Sequence, residues 1–159
     1  MNNTNYDHTT DWFYEGNISH LFVNYLKQNN YEILKDNSEN IKAKGIDIIA
    51  KNKKFIELIE VKGYPTEFYV NEKNKGNKKK TNPKLQAKHW ISEALLSCIF
   101  NYGNEKSKYD KPIKLSIVLP NMPRYQELSS KLKNFILDFK IDLNIYFVSE
   151  NGSIIKQNT

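Results

Sequence analysis

The feature that most constrains this chain is a pair of apolar segments that carry charge inside them. Gly45-Ile46-Asp47 leads into one, Ile59-Glu60-Val61-Lys62-Gly63 closes the other, and a short hairpin joins them. Charged groups in covered strands are costly unless they are paired or coordinated. Two acids and a lysine aimed at one point therefore imply a polar site built into the sheet.

Strand parity sharpens the expectation. With Asn52-Lys53 as a tight turn, Asp47 falls opposite Leu58 and Glu60 opposite Gly45. Facing residues share a side of the sheet and side chains alternate along a strand. Asp47, Glu60 and Lys62 then project from one face, and Gly45 opposite Glu60 leaves room for an ion or a phosphate. A slip of one residue would separate Asp47 from the other two. Glu57, of opposite parity, is expected to be exposed or paired with a helix.

The rest of the chain supplies the frame. Apolar positions at helical spacing predict helices over 12–29, 83–102 and 123–140. The apolar face of the second is expected to use Leu85, Trp90, Leu95, Leu96, Ile99 and Phe100. That of the third is expected to use Tyr125, Leu128, Leu132, Phe135, Ile136 and Phe139. Strands are expected at 31–34, 45–51, 54–62, 115–120 and 143–149. The order α-β-β-β-α-β-α-β predicts an α/β fold, a mixed sheet with helices on both faces. All 159 residues read as one domain, with 1–10 frayed and 64–82 a basic loop.

Several classes of protein are disfavoured. No apolar run approaches the roughly 18–20 residues of a membrane span, and the polar start MNNTNYDHTT is no signal peptide. The expected location is cytoplasmic. The single cysteine, Cys98, excludes an internal disulfide, and with three scattered histidines it argues against structural zinc.

The net charge of +6 is concentrated. Within NEKNKGNKKKTNPK, residues 71–84, Lys73, Lys75, Lys78, Lys79, Lys80 and Lys84 oppose only Glu72, a local +5 directly after the Glu60/Lys62 strand. A solvated surface loop is the ordinary reading of such a run. Its position beside the acids points to a grip on phosphates.

Two carboxylates suit Mg²⁺, which takes oxygen ligands and keeps waters for substrate phosphate. A lysine beside them can orient or deprotonate a water, or stabilise transition-state charge. A cross-strand ion pair is the competing reading, and it would leave one carboxylate uncompensated.

Asp47, then Glu60-Val61-Lys62, resembles the signature of the PD-(D/E)XK nuclease superfamily (restriction-endonuclease-like), with Ile46 where the name has proline. The resemblance implies an α-β-β-β-α-β core over about 12–119, with an added C-terminal helix and strand. It implies a Mg²⁺-dependent (Mn²⁺ substituting) nuclease, with DNA as the expected substrate and endonuclease action favoured. The implied catalytic set is Asp47, Glu60, Lys62, Glu15 and Gln86, with Asp47, Glu60 and the Val61 carbonyl as metal ligands. Glu15 could equally be a helix-start glutamate complementing the dipole, and Gln86 an exposed helical side chain. Lys88 joins the loop lysines as a nucleic-acid contact near a helix N-terminus; His89 reads as a surface residue. Trp12, Trp90 and the tyrosines read as core or partly buried, with base stacking the competing role. The partner would be nucleic acid, with a second copy or another subunit for recognition and no membrane. A catalytically idle nucleic-acid-binding or complex-forming module is the rival function.

Overall fold

The computed structural model describes residues 7–38, 45–70 and 74–157. Six strands form one sheet in sequential order: β1 (Glu32–Asp36), β2 (Ile48–Lys51), β3 (Ile56–Val61), β4 (Ile113–Pro120), β5 (Leu143–Val148) and β6 (Ile154–Lys156). β1, β2 and β3 run as an antiparallel meander, β3, β4 and β5 are parallel, and β6 turns back against β5. Helices α1 (Glu15–Gln28), α2 (Pro83–Glu105) and α3 (Pro123–Asp138) cover both faces. The mixed α/β architecture is therefore the expected one, with β6 added. Among the described residues no helix is long and apolar enough to cross a membrane.

Local chemistry sets the element ends. α1 opens at Glu15, three residues later than its apolar spacing implied, because residues 11–14 turn sharply beneath it, with Tyr14 N–H bonded to Asp11 O. It stops where Asn30 takes a left-handed φ of 63°. Asn82 accepts the Lys84 N–H and Pro83 fills the first turn of α2, a strong N-terminal signal. At the other end of the chain, 8–10 make a 3₁₀ turn capped by Asp7. The expected fraying of residues 1–6 lies outside the described residues.

The hairpin register departs from expectation. Ile48 pairs with Ile59 and Ile49 with Leu58, so Asp47 falls opposite Glu60 rather than Leu58. The reason is turn chemistry: Asn52 Oδ1 accepts from both Lys54 N and Phe55 N, making Lys53-Lys54 the tip. The shift is two residues, so the parity survives. Gly45 is consequently not opposite Glu60; its φ of 89° is a turn conformation that favours glycine.

The core lies in two layers. Ile18, Phe22 and Leu26 of α1 pack on Ile48, Ala50, Ile59, Val61 and Val118. On the other face, Ala87, Ile91, Ala94 and Cys98 of α2 join Tyr125 and Ile136 of α3 over Ile117, Leu119 and Ile145. The buried stripe of α2 is thus Ile91 flanked by the small residues Ala87, Ala94 and Cys98, which let the helix sit close to the sheet. Leu85, Leu96, Ile99 and Phe100 are half-exposed or more, contrary to the expected apolar face. Phe135 of α3 and Phe139 just past its end are likewise exposed, while Ser129 of α3 is buried.

Glu57 also departs from expectation. It is fully buried on the α1 face, where Ser116 Oγ and, at 3.5 Å, Tyr146 OH donate to its Oε1. β3 is central and covered on both sides, so neither face of it reaches solvent. β4 and β5 provide the polar partners instead.

Candidate active site

Asp47, Glu60 and Lys62 converge on the α2 face at the carboxyl end of β3. This is where the antiparallel meander gives way to the parallel strands, a natural place for a crevice in an α/β sheet. Each side chain is fixed separately. Asn37 holds the segment before β2, with its N–H on Asp47 O at 2.9 Å and its amide on Ile46 O at 3.2 Å. Asp47 Oδ2 then accepts the Val61 N–H at 2.8 Å. Glu60 Oε1 lies 3.3 Å from Lys62 Nζ.

The fourth member arrives from the other layer. Gly63 lies directly under the turn before α1: a Cβ there would stand 2.8 Å from Phe13 O and from Glu15 N. Tyr64 N–H bonds Phe13 O at 3.0 Å, and the Gly63 backbone N–H lies close enough to favour the ionised Glu15 carboxylate. That close approach brings Glu15 within electrostatic reach of Lys62 and Asp47.

The electrostatics are those of crowded acids in a sheltered place. Burial, then the Asp47 charge, pushes Glu60 up to about 7 against the pull of Lys62 and Ser97. Burial likewise raises Asp47, opposed by the Val61 N–H and Lys62, and raises Glu15, opposed chiefly by Lys62. For Lys62 burial acts to lower the value, but Glu60, Glu15, Asp47 and Glu93 outweigh it and hold the ammonium above its usual range. Glu60 is only 4% exposed, and among the described residues its Oε2 has no hydrogen-bond partner.

Two α2 residues complete the surroundings without having been expected. The Ser97 hydroxyl lies close enough to favour ionised Glu60, and Glu93 adds charge near Lys62 and Glu15. Their signal in the sequence is that Gln86, Glu93 and Ser97 recur at spacings of seven and four, which places them along one side of the helix. On that side Gln86 lies about 10 Å along the axis from Glu93. Its Oε1 is buried without a partner among the described residues, but nothing ties it to Asp47, Glu60 or Lys62.

The lysines divide. Lys78, Lys79, Lys80 and Lys84 line one groove of about 590 Å³ together with Phe13, Tyr64 and Glu67. Ahead of α2, residues 67–69 lie against 76–79, with Phe68 bridged to Lys78 and Tyr69 N bonded to Asn77 O at 2.9 Å. Lys75 lies near Asp7, Lys88 is exposed on α2 outside that groove, and Lys73 lies outside the described residues. His89 is exposed, as expected of a surface residue.

All donors at the site are oxygens, and a buried carboxylate oxygen is left unsatisfied. That fits a hard divalent cation better than a soft metal. Among the described residues no group of three or more His, Cys, Asp or Glu side chains is placed to hold a metal ion. Asp47 and Glu60 are the two-carboxylate set on offer.

The fold and the site together define a mixed α/β protein with an acid–acid–lysine cluster at the switch point of its sheet. The chain belongs to Uncharacterised protein family UPF0102, whose pattern matches residues 20–111. The match spans Asp47, Glu60, Lys62 and Gln86 and leaves Glu15 outside. None of the curated proteins matches the sequence. Two solved structures are similar. An XisH family protein from Nostoc punctiforme shares 14% identity over 89% of this chain and 95% of its own, with a TM-score of 0.48. An fdxN element excision controlling factor protein from Anabaena variabilis shares 16% identity over 87% of this chain and 95% of its own, with a TM-score of 0.47.

Proposed function

We propose that this protein is a Mg²⁺-dependent nuclease of the PD-(D/E)XK kind, cutting phosphodiester bonds within DNA. The observation that carries the reading is the convergence of Asp47, Glu60 and Lys62 at one strand end, with Glu60 Oε2 buried and unsatisfied. Asp47 and Glu60 would hold the ion, with the Val61 carbonyl as a further oxygen ligand. When bound, such an ion stabilises charge on the phosphate and makes water a better nucleophile.

The chain's own groups do the rest. In the metal-free site Lys62 is held as an ammonium by its acidic neighbours, a charge and hydrogen-bond donor beside phosphate or water. Glu15 attracts that ammonium electrostatically from the α1 side. Lys78, Lys79, Lys80 and Lys84 neutralise backbone phosphates along their groove. Cutting both strands of a duplex would take two such sites, and hence a second copy or a partner subunit.

The test is cleavage by the wild-type protein and Lys62→Ala. The substrates are supercoiled plasmid, linear duplex, single-stranded DNA, a branched junction and RNA, each with Mg²⁺, Mn²⁺ or EDTA. Products from the wild type alone, lost in EDTA, support the reading. If neither protein cuts while both bind DNA in a salt-sensitive way, a binding module replaces it.

A further inference from the structure

Beside the acids lies a second cavity that the cleavage reading does not use. It measures about 210 Å³ and is walled by Phe13, Tyr14, Tyr64 and Trp90, with Thr66 and Lys79 as its polar edge. The rings come from three separate places: the turn before α1, the segment after β3, and α2. Protein interiors close such gaps to fewer and smaller voids. Here the four rings stay partly exposed around open space. Phe13 and Tyr64 are held edge to face at 6.3 Å, and Tyr64 is in turn braced by Tyr125 at 5.3 Å.

The neighbours of this cavity say what would enter it. Glu15 and Gly63 form part of its wall, so it is linked to Lys62 through Glu15, which interacts with that ammonium. Phe13, Tyr64 and Lys79 also line the lysine groove, so the two spaces are continuous. Lys79 Nζ stands 3.3 Å from Thr66 Oγ1, offering a donor at the mouth. A cationic groove that opens into an aromatic slot is how proteins hold a strand by its phosphates and a base by its face. The volume lies below the roughly 300–1,000 Å³ of pockets for drug-sized ligands, which favours a single ring system over a dinucleotide.

We propose that this pocket receives one unstacked nucleobase of the bound DNA strand. The preferred substrate is then DNA with an unpaired nucleotide beside the scissile phosphate (a tail, flap or gap) rather than perfect duplex. Placing that phosphate rests on the nuclease reading; binding of the base does not. Extruding a base from intact duplex costs unstacking and unpairing, which an unpaired nucleotide avoids.

The experiment measures binding by the full chain in EDTA, where no cleavage intervenes. The probes are a blunt duplex, the same duplex with a short single-stranded tail, and that tail with its bases replaced by abasic sites. Expected is tighter binding of the tailed duplex, lost roughly 5- to 150-fold on abasic replacement at unchanged phosphate count. Trp90→Ala should weaken tail binding and leave blunt-duplex binding unchanged, while Trp90→Phe, which keeps a ring, restores most of it. Equal affinity of wild-type protein for normal and abasic tails overturns the proposal, whether or not the variants fold. The two readings fail separately. Abasic sensitivity without cleavage in Mg²⁺ would retain the pocket and remove the nuclease, and cleavage without abasic sensitivity would do the reverse.

Discussion

The Val61 amide donates to Asp47 Oδ2 at 2.8 Å, so the first acid of the site is tied to the backbone between the second acid and the lysine. The bond lies across the hairpin, and it makes the position of Asp47 a property of the sheet. Asp47→Asn retains an oxygen that can accept from Val61, so the fold should survive. It lacks the charge to hold a divalent ion. Wild-type protein is expected to be stabilised by Mg²⁺ relative to EDTA, by about 2.7 kcal/mol at a hundredfold excess over Kd, and so to melt at a higher temperature. Asp47→Asn should melt at one temperature in both. A full Mg²⁺ response in the variant would remove Asp47 from the metal site.

Gly63 is the point at which the two layers of the fold nearly touch. Its missing Cβ would strike two backbone atoms, Phe13 O and Glu15 N, which cannot swing aside as a side chain could. Gly63→Ala is therefore expected to lift the start of α1, costing about 1–3 kcal/mol in urea unfolding. It should also lower cleavage further than the stability loss explains, because Glu15 is displaced. An alanine variant with wild-type stability would mean that the turn before α1 moves freely.

The raised value of Glu60, about 7, has a defined consequence for the metal-free protein. Between the usual carboxylate range and about pH 7, folded Glu60 holds a proton that the unfolded chain has released. More protons bound in the folded state mean that stability falls as pH rises through this window. In EDTA the melting temperature should decline from pH 5 to pH 7.5. With Mg²⁺ the decline should flatten or reverse, since the metal needs the ionised form. Glu60→Gln should remove this contribution to the EDTA slope. An unchanged slope in that variant would assign the pH dependence elsewhere.

The groove lysines make a quantitative claim. Each of Lys78, Lys80 and Lys84 that neutralises a phosphate contributes roughly 0.9 to the log–log salt slope for duplex DNA. Replacing all three with glutamine should flatten the slope by up to about 2.7, without changing the fold, since all three are exposed. Lys78 also pairs with Glu67 at 3.7 Å, an exposed contact expected to add little. A slope untouched by the triple substitution would move the DNA track to another surface.

The acid–acid–lysine face was legible because parity tolerates a two-residue error in register. Asn52 forms its own Asx turn, which moved the hairpin tip by one residue, yet Asp47 and Glu60 remained on one side. The faces of α2 were not legible from apolar size. Leu85, Leu96, Ile99 and Phe100 point outward, while Ala87, Ala94 and Cys98 around Ile91 permit a close approach to the sheet. Glu93 and Ser97 were hidden for a related reason, as polar helix positions ordinarily belong to the surface. β6 is three residues on an open edge, too short for an alternating pattern to emerge after Asn151-Gly152. The burial of Glu57 depends on Ser116 and Tyr146, partners distant in sequence that no local pattern reveals.

Glu57 and Glu60, three residues apart on β3, provide the sharpest separation of structure from chemistry. Both are buried, but one faces α1 among hydroxyls and the other faces the candidate site. Glu57→Gln keeps an acceptor for Ser116 in a side chain of the same shape. It should change stability by no more than a single hydrogen bond, about 0.5–1.5 kcal/mol, and leave cleavage as in the wild type. Glu60→Gln is just as conservative in shape, yet it should lower metal-dependent cleavage on the order of a hundredfold or more. Measured together, urea midpoints and cleavage rates place the two glutamates on opposite faces by function. If both variants lost cleavage equally while remaining folded, the effect would track the strand as a whole. The assignment of Glu60 as a metal ligand would then fall.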